Sequence, residues 1–205
     1  MSLIPDSYLT IAKPAEGLYK DKGSKFISWA YPVKDLEEIK SHLASLKEAH
    51  PKARHICYAY RLGFTPEEAR SNDDGEPSGS AGKPILNIIL SQNLHYVLVA
   101  VVRYFGGTLL GVSGLIEAYG KAADECLAIC EKSVKLIFEK YEICCEYGLE
   151  QEIYKACKQF NGLIHVIENQ DLFCAEIKIP LPMVEGFKSL LQKNYKIQFK
   201  YIGIA

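Results

Sequence analysis

The chain has 205 residues, 48% of them hydrophobic, with 24 basic and 25 acidic side chains. That length suits one large domain or two small ones, and the even charge balance holds over residues 1–136 (16 basic, 16 acidic) and 137–205 (8 and 9) alike, so neither part has the basic excess of a dedicated nucleic-acid binder. The longest strongly apolar run, Tyr96–Val102, is far too short to span a bilayer, and no signal peptide is visible; a cytoplasmic protein is expected. Seven cysteines (Cys57, Cys126, Cys130, Cys144, Cys145, Cys157, Cys174) make no CxxC pair and no zinc spacing, and read as buried reduced thiols.

In chain order, Tyr8–Ala12, Gly17–Tyr19 and Lys25–Tyr31 read as short strands. Asp35 is expected to cap a helix running to about Ala49, with Glu38 as its capping-box partner and Leu36, Ile39, Leu43 and Leu46 at helical spacing. His55–Leu62 alternates as a strand. Lys83–Ser91 is a short apolar helix led by Pro84. Tyr96–Arg103 reads as a central strand buried on both faces. A second helix is expected from a Ser113 cap to about Cys130, with Ile116, Tyr119, Ala123, Cys126 and Leu127 as its apolar stripe. Val134–Tyr147 reads as one long strand, followed by helix Leu149–Phe160, strands Leu163–Ile167 and Leu172–Ile179, helix Pro182–Gln192 and strand Ile197–Ile202. That βαββαβ order is the ferredoxin-like split βαβ unit. The reading is therefore an α+β chain in two domains, 1–132 and 133–205, the first read as α/β with helices on a mixed sheet.

Two glycine-rich segments stand out. SNDDGEPSGSAG (Ser71–Gly82) lies between hydrophobic runs and has no large apolar side chain, and loops of that kind are usually functional or disordered. RYFGG (Arg103–Gly107) ends the central strand. In the first, Asp73, Asp74 and Glu76 alternate with the turn-forming Gly75, Gly79 and Gly82. Ser80, Gly82 and Lys83 open a helix whose N-terminus favours an anion. In the second, Arg103 emerges where open α/β sheets place ligands and can hold a phosphate or carboxylate bidentately; Tyr104 and Phe105 offer stacking faces, and Gly106 and Gly107 allow close backbone approach. His55 and Arg61 bracket the neighbouring strand. The three carboxylates repel a bare phosphate, so they either pair with Arg61 or Arg103 or hold a divalent cation. A purely structural role for the loop remains open.

The runs DDGEPSGSAGKP (Asp73–Pro84) and RYFGGTLLGVSGLIEAY (Arg103–Tyr119), with RHICYAYRLG (Arg54–Gly63), resemble the YigZ/IMPACT family over the whole chain, Ser80 standing where the family usually has threonine. The resemblance implies an IMPACT-type N-terminal domain, like the second domain of a small-subunit ribosomal protein, GHMP kinases and domain IV of elongation factor G. The C-terminal domain would resemble domains III and V of that factor. Eukaryotic members restrain an amino-acid-starvation kinase by competing for its activator. For two-domain members the resemblance implies regulation of translation, with RNA, the ribosome or a translation factor as partner, no cofactor and no membrane. The alternative from the same fold is an Mg-dependent enzyme acting on a phosphorylated or nucleotide substrate, with Lys83 and Arg103 on phosphate and the acidic trio on metal or as base. The residues decide neither catalysis nor oligomeric state.

Overall fold

A computed structural model describes residues 5–65, 68–167 and 169–204. Its internal contacts form two units, divided at Val134 and Lys135. Residues 5–8 group with the C-terminal unit, where Ile137 N–H bonds Asp6 O; from Leu9 onward the chain belongs to the N-terminal unit, where Ala12 N–H bonds Glu131 O. Strands β1 (Ser7–Ile11) and β7 (Lys132–Leu136) pair along this stretch.

The N-terminal unit is built on β2 (Ala15–Asp21), β3 (Ser24–Pro32), β4 (His55–Arg61), β5 (Ala69–Asn72) and β6 (Val97–Tyr104), in the order β2-β3-β6-β4-β5. Every pairing is antiparallel, not mixed as the sequence suggested. An antiparallel sheet has no common carboxyl edge, so the ligand-site rule for parallel sheets does not explain the place of Arg103. Helices α2 (Gly82–Ser91) and α3 (Gly111–Ala128) cover one face. There Phe26, Cys57, Ala59, Val99 and Val101 form a core with Ile85, Ile89, Tyr119 and Ala122. Phe26 meets Tyr119 edge-on at 5.1 Å between centroids, a geometry worth about 0.5–1.5 kcal/mol beyond burial. Helix α1 (Leu36–Ala49) packs Ile39 against Leu98 and the tyrosines Tyr31, Tyr58 and Tyr60 on the other face. Covered on both sides, β6 is buried from Val97 to Val102.

Four local expectations are corrected. Asp35 caps α1 through the Glu37 and Glu38 N–H groups, but Glu38 accepts from Lys34 N–H rather than closing a box on Asp35. The loop expected from Ser71 begins inside strand β5, a polar edge strand with no apolar alternation to announce it. Helix α3 starts at Gly111 after Leu110, without a side-chain cap, so Ser113 lies inside its first turn. Ile116 is exposed, and Leu115 takes its place in the stripe.

The expected long strand Val134–Tyr147 is two, β7 and β8 (Phe138–Cys145), broken at Ile137, whose N–H and C=O bond Asp6 and Leu181. With β9 (Leu163–Ile167), β10 (Phe173–Pro180) and β11 (Gln198–Ile204), β8 forms an antiparallel sheet in the order β11-β8-β10-β9. Numbered within the unit this is 4-1-3-2, the split βαβ arrangement. Helices α4 (Glu150–Gln159) and α5 (Val184–Leu191), the latter entered through a 3₁₀ turn at Leu181–Met183, pack Ile153, Ala156 and Phe187 onto Tyr141, Ile143, Ala175 and Ile177. Cys144 and Cys174 stand directly opposite on β8 and β10, with Cα atoms 4.3 Å apart, and are joined by a disulfide. This corrects the all-thiol reading. Their neighbours Ile143, Cys145, Phe173 and Ala175 take the core face, so strand alternation puts both sulfurs on the other. The remaining five cysteines are free and buried.

Candidate functional site

The acidic loop turns its carboxylates onto its own chain. Asp73 Oδ2 accepts from Gly79 N–H (2.8 Å), and Oδ1 accepts from Ala81 and Gly82 N–H (3.0 and 2.8 Å). Burial pushes the Asp73 carboxyl up, but the three backbone N–H groups outweigh it and hold the group below its ordinary value. The α2 N-terminus, expected to receive an anionic ligand, already receives this carboxylate; its own cap residue, Ala81, contributes none. Gly82 is required at this junction, because a Cβ there would lie 2.6 Å from Asn72 N. Ser80 is fully buried, its hydroxyl donating to Pro77 O at 2.6 Å.

Asp74 and Gly75 make a left-handed turn (φ 43° and 87°) against the start of β4. Asp74 Oδ2 accepts from Ile56 N–H at 2.7 Å, and its carbonyl lies 2.6 Å from His55 Nδ1. A carbonyl only accepts, so Nδ1 of His55 carries the proton.

Glu76 is buried beneath the loop. Its Oε1 accepts from Arg103 Nη1 at 2.7 Å and from the Tyr119 hydroxyl at 2.8 Å. Cys57 Sγ lies 3.3 Å from that hydroxyl and 3.0 Å from Asp73 O. Burial pushes the Cys57 thiol up to about 12 and the Tyr119 phenol well above its ordinary value. The Arg103 guanidinium lies 5.6 Å from the Phe26 ring centroid and 5.7 Å from that of Phe105, a cation–π arrangement on two rings. Of the two arginines weighed for the carboxylates, only Arg103 is used. Arg61 is at the other end of β4, about 20 Å away along the strand, with Asn93 Oδ1 at 3.4 Å. Lys83 is exposed on α2. Gly106 meets the β2–β3 turn: its N–H donates to Ser24 Oγ, and a Cβ would come within 1.9 Å of Gly23 C. Gly107 takes φ 90° in open space, as does Gly79 at φ 75°.

With its three carboxylates engaged, the loop acts as a clasp holding β4, β6 and α2 together. Beside it lies a cleft of about 420 Å³ lined by Lys52, Arg54, His55, Arg103, Tyr104, Phe105 and Leu109. A second, also about 420 Å³, lies across Tyr104 and Phe105 and is lined by Gly23, Lys25, Ile27 and His50. The Tyr104 hydroxyl is 2.8 Å from His50 Nδ1. Neither lining includes a carboxylate, and Lys25, Lys52 and Arg54 have no ion-pair partner among the described residues. Sequence reasoning missed Lys25, His50, Lys52 and Arg54. The basic run Lys52-Ala53-Arg54-His55 was the one available signal, and overall neutrality masked it.

The profile of the Impact N-terminal domain matches residues 22–127, which contain both motifs and both clefts. The chain is 32% identical over 189 residues to the IMPACT family member YigZ of Escherichia coli, covering 91% of this chain and 92% of that protein. The chain belongs to the IMPACT family. An IMPACT family member of Haemophilus influenzae is 35% identical over 141 residues, 68% of each chain. The crystal structure of a hypothetical protein superposes with a TM-score of 0.78 at 30% identity, covering 97% of this chain and 98% of its own. In this IMPACT family chain, no helix among the described residues is long and apolar enough to cross a membrane.

Proposed function

We propose that this chain is a translation-associated regulatory protein of the cytoplasm that binds RNA at the basic, aromatic end of its N-terminal unit. The observation that carries the reading is the composition of the two clefts. They bring Lys25, Lys52 and Arg54, which have no ion-pair partner among the described residues, together with Tyr104 and Phe105, and among the described residues their linings contain no carboxylate, in a chain whose net charge is only -1. Local charge of this kind attracts phosphate without general basicity. Family membership supports the link to translation. The enzyme alternative loses support, because Asp73 occupies the start of α2 and Glu76 holds Arg103, which was to bind its phosphate.

The test is co-sedimentation with ribosomes and with ribosome-free RNA at low and raised salt, for the wild type and the Lys52→Ala/Arg54→Ala double variant. Both positions are exposed, so the fold is kept. Salt-sensitive binding that the double variant loses supports the reading. Equal binding by both proteins, or none in any condition, refutes it.

A further inference from the structure

The two clefts share Tyr104 and Phe105 as a common wall, with cations on both sides. Lys25 pairs in register with Tyr104 on one flank, and His55 pairs with Arg103 on the other, with Arg54 and Lys52 just before it. Across the three strands β3, β6 and β4, the flanking backbones are about 10 Å apart. Lys25 and Arg54 thus straddle the aromatic pair and reach different phosphates. Phe105 is 55% exposed, with the Arg103 guanidinium against its ring. An exposed ring fixed beside a guanidinium is a stacking platform for an unpaired base, whereas a duplex keeps its bases stacked inward and offers such a ridge only its backbone. Among the described residues the linings contain no Asn or Gln to read adenine and no Asp or Glu to read cytosine, and their unpaired cations Lys25, Lys52 and Arg54 are given to phosphates.

Building on the proposed RNA binding, we infer that the ligand of this face is single-stranded RNA, carried across the Tyr104–Phe105 ridge with a base on Phe105 and successive phosphates on Lys25 and on Lys52 and Arg54, without base selectivity.

The experiment is fluorescence anisotropy with labelled eight-nucleotide oligo-U, oligo-A and mixed-sequence strands and a blunt RNA duplex of the same length. Proteins are the wild type, Phe105→Ala, Phe105→Trp and Lys25→Ala, each checked for folding by thermal denaturation. The three single strands should bind within a few-fold of one another and about ten-fold or more tighter than the duplex. Phe105→Ala should weaken single-strand binding by about ten-fold or more, and Phe105→Trp should restore it. Lys25→Ala should lower the salt slope by about 0.7, the loss of one phosphate contact. Duplex binding as tight as single-strand binding, or a folded Phe105→Ala that binds like wild type, overturns the inference. Ribosome or duplex binding without single-strand binding overturns it while leaving RNA binding intact. Single-strand binding without ribosome or ribosomal RNA binding supports it and removes the link to translation instead.

Discussion

Replacing Glu76 by Gln tests whether the acidic motif is a clasp. The Arg103 and Glu76 side chains are 10% and 5% exposed, so water screens their 2.7 Å contact poorly. Gln keeps the shape and one acceptor oxygen for Tyr119 and Arg103, but leaves the guanidinium buried without a counter-charge. Removing one partner of a buried pair costs about 3–5 kcal/mol, and the retained hydrogen bonding places Glu76→Gln near 3 kcal/mol. Arg103→Met strands the carboxylate instead and should cost a similar amount. In the double variant neither charge remains, so its loss should fall short of the sum by about 2 kcal/mol or more. Urea unfolding followed by the fluorescence of Trp29, the single tryptophan, reports on the same unit. Single variants within about 0.5 kcal/mol of wild type, or a double variant additive within about 0.5 kcal/mol, would refute the clasp. For the same reason Arg103 is a poor probe of ligand binding: its loss would act through stability.

Three further outcomes follow from the geometry. Asp73→Ala should cost about 2 kcal/mol, since three N–H groups lose their acceptor. Because the folded carboxyl titrates below its ordinary value, this contribution is fully present above about pH 4 and lost as pH falls through the folded value; the gap in urea midpoint between wild type and variant should therefore be full at pH 7 and narrow as pH falls below about 4. Gly106→Ala should destabilise by about 3 kcal/mol, since its Cβ would meet backbone of Gly23 and Ser24. Gly107→Ala, with open space but φ 90°, should cost only about 1–2 kcal/mol, and calorimetry showing the reverse order would count against the close approach. Thiol titration of the denatured, unreduced protein should find five thiols rather than seven, and Cys144→Ala/Cys174→Ala should lose about 3–4 kcal/mol for a bridge of sequence separation 30. Seven titratable thiols would remove the bridge.

What the sequence determined by itself was local. The Asp35 cap and the 3.6-residue spacing of Leu36, Ile39, Leu43 and Leu46 define α1, and unbroken apolar residues from Val97 to Val102 mark a strand covered on both sides. The βαββαβ order and the two glycine motifs were equally legible, because propensity, periodicity and turn chemistry act within a few residues. Tertiary structure decided the rest. Ala69–Asn72 is a strand only because Tyr58–Arg61 offers it a ladder. Cys144 and Cys174 bond because the register of β8 and β10 sets them opposite one another. Asp73 caps a helix nine residues ahead and Glu76 reaches Arg103 across 27, so the acidic motif that looked like a ligand or metal site is spent on the fold. Lys25, His50 and Arg54 flank Tyr104 only once β3 and β4 lie on either side of β6. Charge and aromatic surface at a site depend on which distant segments share an edge, and that is set by the antiparallel pairing of the whole sheet.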